Sequence, residues 1–256
     1  MIAPSRMRSL ALGSLVAALL LAAHALPSTA RAQSAEDGWA PPETATRPTS
    51  GEASFLSGRT LGVGQALMAA ALGWPGFWAQ VELAPDSGLN VGVRAAVVYG
   101  SPVMGLVAGA GGELSVPIRV HVFGEGNVDI ALRVTPEVSF GEGRLFGGGE
   151  TSLANEIGVS SRLELGALLG WRLVERFTLF VSLGAAPGIS WLDRDEVRAI
   201  GLFTGSIGVE ALMSLETMLF GEIQGGVGVA DTTGVVFALY PQQEILRVSL
   251  GIAYVL

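Results

Sequence analysis

Apolar and polar residues alternate along many segments of this chain, and this period of two limits its fold more than any other feature. In VDIALRVTPEVSF (128–140), Val128, Ile130 and Leu132 alternate with charged or small residues. The same pattern recurs in segments 89–99, 113–123, 162–172, 177–183, 219–229 and 246–256. Successive side chains of a strand point to opposite faces, so each segment predicts a strand with one apolar face. Segments of about ten residues with this period, separated by turns, are typical of transmembrane β-barrels.

The composition agrees with a membrane protein built from strands. Half of the residues are hydrophobic, 15% are charged, and the mean hydropathy is +0.51. The uncharged stretches 61–79, 95–112 and 177–192 are long, but each contains a proline and several glycines, which disfavour helices. A sheet in a bilayer must close on itself, because its backbone finds no water there. The sequence therefore predicts an all-β fold, a closed antiparallel up-and-down transmembrane β-barrel.

The net charge and the absence of cysteine exclude several kinds of site. A formal net charge of −8 argues against a nucleic-acid partner, which requires a basic surface. Without cysteine the chain forms neither disulfides nor thiolate metal sites. We predict no metal, no cofactor and no catalytic residue.

The first 58 residues are predicted to lie outside the barrel. Residues 1–32 have the pattern of a signal peptide: Arg6 and Arg8 precede the apolar stretch 10–26, and ARA (30–32) is a suitable cleavage site. Residues 33–58 show no period and are rich in Pro, Ser, Thr and Glu, which predicts a disordered periplasmic leader. Residues 59–256 then form the barrel.

The alternation predicts ten strands, with eight as the fallback because 60–84 and 103–112 are rich in glycine and alanine. The ten predicted segments are 60–71, 77–84, 89–99, 105–123, 128–140, 155–172, 177–191, 199–213, 218–229 and 244–256. Short connections alternate with the longer ones at 141–154, 192–197 and 230–243, which places the short turns in the periplasm and the longer loops outside. Pro117 interrupts a predicted strand in its middle, where we expect a bulge.

Aromatic residues are predicted to form two bands at the membrane interfaces. The turn GWPGFW (73–78) is assigned to the outer band. The other predicted interface aromatics are Tyr99, Phe140, Trp171, Phe177, Trp191 and Tyr254.

The face opposite the lipid is predicted to line the lumen with charges. These are Glu82, Arg94, Glu113, Arg119, His121, Asp129, Arg133, Glu137, Arg162, Glu164, Arg172, Glu210, Glu222 and Arg247. A barrel of eight to ten strands is narrow, and unpaired buried charges are costly. Ion pairs that fill the lumen are therefore expected, and a narrow path for ions or small solutes is the alternative.

His121 is the single candidate base for a lipid- or peptide-hydrolysing barrel, because His24 lies in the predicted signal peptide. Phe123 stands two residues after it, where a His-x-Ser hydrolase arrangement requires serine. We therefore predict that the chain is not an enzyme, with His121 acting as a hydrogen-bonding residue of the inner face.

As a whole, the sequence resembles bacterial outer-membrane β-barrel proteins. The resemblance rests on the N-terminal segment, on the alternation over about 60–256, and on LGIAYVL (250–256). It implies that Leu250, Ile252, Tyr254 and Leu256 form the signal read by the barrel-assembly machinery, although the family usually ends in Phe or Trp. It also implies an outer-membrane location, outer-membrane lipid and that machinery as partners, and a monomer.

Three functions remain open from the sequence. The first is a structural or surface-interaction barrel with a largely filled lumen, and the second is a narrow channel. The third is a soluble periplasmic β-barrel that binds a lipid, which would require apolar residues inside and charges outside.

Overall fold

The computed structural model describes residues 54–100, 110–142, 157–192, 197–231 and 239–256. The predicted signal peptide (1–32) and most of the predicted leader (33–53) lie outside these ranges, as do residues 143–156, 193–196 and 232–238 of the predicted outer loops. Within the described residues the fold is all-β. None of these residues belongs to a helix long and apolar enough to cross a membrane.

The described residues form eleven strands, which we number in chain order. They are β1 Ala66–Trp74, β2 Gly76–Asp86, β3 Leu89–Val98, β4 Gly111–Ser115, β5 Ile118–Glu125, β6 Val128–Glu142, β7 Ile157–Val174, β8 Phe177–Leu192, β9 Val197–Leu212, β10 Thr217–Asp231 and β11 Leu239–Val255.

These strands close into an antiparallel barrel with ten positions. Consecutive strands pair with each other except β4 and β5, and β1 also pairs with β11, from Leu67 opposite Val255 to Trp74 opposite Val248. β4 and β5 share the fourth position, because both lie between β3 and β6. The prediction of a closed ten-strand barrel is confirmed.

The break between β4 and β5 lies at Pro117, where the sequence predicted a bulge. Proline has no N–H and cannot donate to a ladder. The neighbouring backbone compensates in part: Gly92 N donates to Pro117 O at 2.8 Å, and Val116 N donates to Pro136 O at 3.0 Å. The predicted strand is thus divided in two rather than locally bulged.

We call the two ends of the barrel the turn end and the loop end. The turn end carries the connections 87–88, 126–127, 175–176 and 213–216, together with the start of β1 and the end of β11. The loop end carries the β1–β2 hairpin at Pro75 and the longer connections. The first predicted strand was placed too early, because it begins at Ala66 rather than at residue 60.

The exterior of the barrel is apolar over most of the strand length. Large apolar side chains point outward on every strand that spans the wall, and examples are Leu72 (71% exposed), Leu132 (51%), Leu183 (66%) and Leu250 (70%). The residues between them point inward. A folded chain that leaves so much apolar area uncovered needs a lipid environment.

Candidate functional site: the plugged lumen

The inner face carries polar and charged side chains that are strongly buried. Glu82, Arg119, Asp129 and Glu210 are each at most 3% exposed. Together with His121 they lie toward the turn end. A second group of predicted charges lies toward the loop end: Arg94, Glu113, Arg133, Glu137, Arg162, Glu164, Glu222 and Arg247. The lumen thus has two layers of charge with different partners.

The layer near the turn end is filled by residues 54–61, which we call the plug segment. Phe55, Leu56 and Leu61 of this segment are 4%, 4% and 2% exposed. The Phe55 ring lies 5.7 Å from the Trp78 ring and 5.1 Å from the Phe220 ring, centroid to centroid. These three rings belong to a larger buried apolar cluster that also contains Leu67, Phe180 and Met218. This cluster fixes one side of the plug segment.

One carboxylate of the barrel wall holds the start of the plug segment. Glu210 accepts hydrogen bonds from Phe55 N at 2.8 Å, from Ser54 Oγ at 2.5 Å and from Leu56 N. The three donors offset part of the cost of burying this carboxylate. Glu210 therefore accepts from the backbone N–H groups of Phe55 and Leu56, which have no partner in a neighbouring strand.

Arg119 holds the carbonyl groups of the same segment. Its guanidinium donates to Phe55 O at 2.7 Å, to Ser57 O at 3.0 Å and to Ser54 O at 3.1 Å. It also forms an ion pair with Glu82 at 3.1 Å. The planar fork of arginine suits such a multiple contact better than an ammonium group would.

Three further contacts fix the rest of the plug segment. Arg59 Nε lies 2.6 Å from Asp129 Oδ1, and Leu61 N donates to Asn90 Oδ1 at 3.1 Å. His121 Nδ1 lies 2.8 Å from Gly58 O, and because a carbonyl can only accept, Nδ1 is the donor. Through this bond His121 takes part in the contact between the wall and the plug segment.

Two glycines allow the plug segment to approach the wall closely. A Cβ on Gly170 would lie 2.5 Å from Ser57 Cβ, and a Cβ on Gly58 would lie 2.5 Å from the backbone carbon of Asp129. Both distances are shorter than real Cβ contacts. Gly170 lies on the inner face of β7, where the absence of a side chain makes room for the plug segment.

The layer near the loop end surrounds a cavity of about 130 Å³. Arg133 Nη2 lies 2.6 Å from Glu164 Oε1, and Arg162 forms an ion pair with Glu137. Arg94 donates to Gln80 Oε1 at 2.7 Å and stacks over the Trp78 ring at 4.3 Å. Trp78 and Leu56 both line this cavity, so the plug segment contributes to its wall.

Some of the predicted charges are not brought together with a partner. Among the described residues, Glu222 and Arg172 have no ion pair within 4 Å. Arg247 reaches Glu113 only at 3.9 Å. A complete set of ion pairs across the lumen stays a prediction.

The chain resembles outer-membrane β-barrel proteins. Neither a family model nor a curated protein sequence matches it. A loop L8 deletion mutant of OmpT from Vibrio cholerae is 12% identical, with a TM-score of 0.32, and the match covers 74% of this chain and 59% of that one. Ail, the attachment invasion locus protein of Yersinia pestis, is 12% identical, with a TM-score of 0.35 and coverages of 76% and 99%. The outer membrane protease OmpT from Escherichia coli is 8% identical, with a TM-score of 0.36 and coverages of 75% and 93%. Similarity at this level transfers no function to this chain.

The boundary drawn between leader and barrel differs from the structure. Residues 54–58 were assigned to the disordered leader, but they lie inside the lumen and carry most of the contacts of the plug segment. The reason is physical: the segment has no period because it pairs with side chains of the wall and not with a strand.

Trp78 was assigned to the outer aromatic band, and this was also wrong. Trp78 points inward, against Phe55, Phe220 and Arg94. It lies on the same face of β2 as Gln80 and Glu82, and this alternation could have placed it inside.

The predicted interface aromatics lie mostly on the exterior. Five of them are 37–54% exposed and Trp191 is half-buried; the five are Tyr99, Phe140, Trp171, Phe177 and Tyr254. Their position at the membrane interfaces stays a prediction.

The residues expected to form the assembly signal lie on the exterior of β11 and just after it. Leu250, Ile252, Tyr254 and Leu256 are 43–70% exposed, and Tyr254 Oη donates to Glu216 at 2.7 Å. Between these residues, Gly251 points inward and leaves space for the Phe220 ring. A Cβ on Gly251 would lie 2.4 Å from Phe220 Cζ, so glycine at this position admits the ring that contacts Phe55.

Proposed function

We propose that this chain is an integral outer-membrane β-barrel with a structural or surface-interaction role, and that its lumen is closed to solutes. The plug segment carries this proposal. It is buried and bonded to the wall through Glu210, Arg119, His121 and Asp129, with the Phe55 ring against two aromatic rings. A solute entering from the loop end would meet a packed layer with matched polar contacts. The part of the protein free to act is then the loop end.

The location in the membrane is supported by the distribution of side chains. Leucine and valine point outward while arginine and glutamate point inward, which is the opposite of what a soluble lipid-binding barrel requires. The signal peptide, the assembly signal, the monomeric state and the absence of catalysis belong to the same proposal.

Labelling of single cysteines tests the membrane assignment. The chain has no cysteine of its own, so Leu132→Cys and Arg133→Cys each provide one thiol. We expect Leu132→Cys in proteoliposomes to react with a lipid-soluble maleimide and to resist a charged one. Arg133→Cys should resist the lipid-soluble reagent. The reverse pattern would overturn the membrane assignment.

Conductance measurements test the closed lumen. The intact chain inserted into a planar bilayer should show no steady current above the background. Because the plug segment occupies the turn half of the lumen, neither ions nor small solutes should pass. A steady current from the intact chain would favour the narrow channel instead.

A further inference from the structure

The cavity near the loop end holds polar groups that the barrel itself leaves without partners. Thr135 is 6% exposed and its Oγ1 has no hydrogen-bond partner among the described residues, and the same holds for the buried Arg133 Nε. Glu222 has no ion pair within 4 Å in the part of the chain that the structure describes. All three residues line the same cavity. Buried donors such as Thr135 Oγ1 and Arg133 Nε are costly unless a polar group in the cavity accepts from them.

Glu222 and the two unpartnered donors, Arg133 Nε and Thr135 Oγ1, lie on nearly opposite walls. β6, which carries Arg133 and Thr135, is the fifth position of the ring, while β10 and β11, which carry Glu222 and Arg247, are the ninth and tenth. The Nη2 atom of Arg133 is used by Glu164, but its Nε–H and the Thr135 hydroxyl are two donors two residues apart on one face. One wall therefore offers donors for an anionic group, and the other offers a carboxylate for a cation.

The geometry points to a binding site for a small zwitterionic solute in this cavity. The cationic group of the solute pairs with Glu222, and its anionic group accepts from Arg133 Nε and Thr135 Oγ1. The charged residues of the lining balance, with Arg94, Arg133, Arg162 and Arg247 against Glu113, Glu137, Glu164 and Glu222. A solute without net charge therefore suits the cavity better than a simple ion. This site does not depend on the surface role proposed above.

Isothermal titration of the purified full chain in detergent micelles tests this site. The probes are glycine, β-alanine and γ-aminobutyrate, which carry both charges at increasing separation. Butylamine and butyrate each carry one charge of γ-aminobutyrate. At least one zwitterion should bind saturably, with a Kd about tenfold or more below those of butylamine and butyrate. This comparison needs no variant and stands even if a variant does not fold.

Two variants locate the site. Glu222→Gln and Thr135→Val should each weaken binding of the best zwitterion, by about tenfold or more for the loss of the carboxylate charge. Glu125→Gln makes the same chemical change on the exposed turn end and should leave the Kd unchanged. Heat-modifiable gel mobility checks that each barrel has folded. No saturable binding of any zwitterion, equal binding of butylamine, or an equal loss in Glu125→Gln would overturn the proposal.

Discussion

Replacement of Arg119 by alanine should destabilise the folded barrel by about 3–5 kcal/mol, the usual cost of removing one partner from a buried ion pair. The variant leaves Glu82 without its ion pair and leaves three carbonyl groups of the plug segment without their donor. Water cannot replace the lost contacts, because Arg119 and Glu82 are both only 2% exposed. Urea titration in vesicles, followed by gel mobility, measures the free energy of unfolding.

Arg176→Ala is the matched control for this prediction, because Arg176 is an exposed arginine of the turn end. It should change the free energy of unfolding by no more than about 0.5 kcal/mol, as surface substitutions usually do. Arg119→Lys keeps the charge but lacks the fork that reaches three carbonyls, so it should lie between the parent protein and Arg119→Ala. Equal stability of Arg119→Ala and Arg176→Ala would contradict the assignment of Arg119 to the plug contact.

Gly170→Val should open the turn half of the lumen. The new Cβ would lie 2.5 Å from Ser57 Cβ and 2.8 Å from Ser57 Oγ, so the plug segment must move away from β7. Overpacking of this kind costs about 1–3 kcal/mol, which should raise the population with a displaced plug segment by about tenfold or more. Planar-bilayer recordings should then show current events that the intact chain lacks. Protease cleavage at Phe55 or Leu56 should accelerate in parallel.

Gly221→Val separates this effect from a general loss of barrel stability. Gly221 is also in a strand, but a Cβ there would lie 3.6 Å from Leu250 Cδ1, an ordinary contact. Its recordings should match those of the intact chain. If the Gly170→Val barrel shows no current and still protects Phe55 from protease, the plug segment does not control the passage of ions.

The exterior of the barrel was predictable from sequence because lipid contact is a local and repetitive requirement. Leu132 and Arg133 are assigned to opposite faces by parity alone, and a bilayer tolerates few exceptions to it. The strand number followed for the same reason. Pro117 indicated the position of an irregularity because it has no N–H to donate to a neighbouring strand, but the predicted bulge is a complete break. The start of β1 was placed too early because Leu61 and Val63 alternate with glycine, as in a strand, although residues 60–65 lie outside β1.

The interior was harder to predict because its contacts join residues that are distant in sequence. Phe55 and Glu210 are 155 residues apart and have no feature in common along the chain. Parity placed Glu210 and Arg119 inside, but it could not show that both serve backbone groups of residues 54–57 rather than one another. Pairing of arginine with glutamate across the lumen was the simpler expectation, and it describes Arg133 with Glu164 correctly.

The short connection between the plug segment and β1 has a consequence for exchange with other molecules. Only residues 62–65 separate the two, and β1 is fixed by ladders with β2 and β11. A segment on so short a tether experiences an effective concentration on the order of millimolar at its binding site. A free peptide of the same sequence would therefore compete poorly with it, and each displacement should end in rapid return.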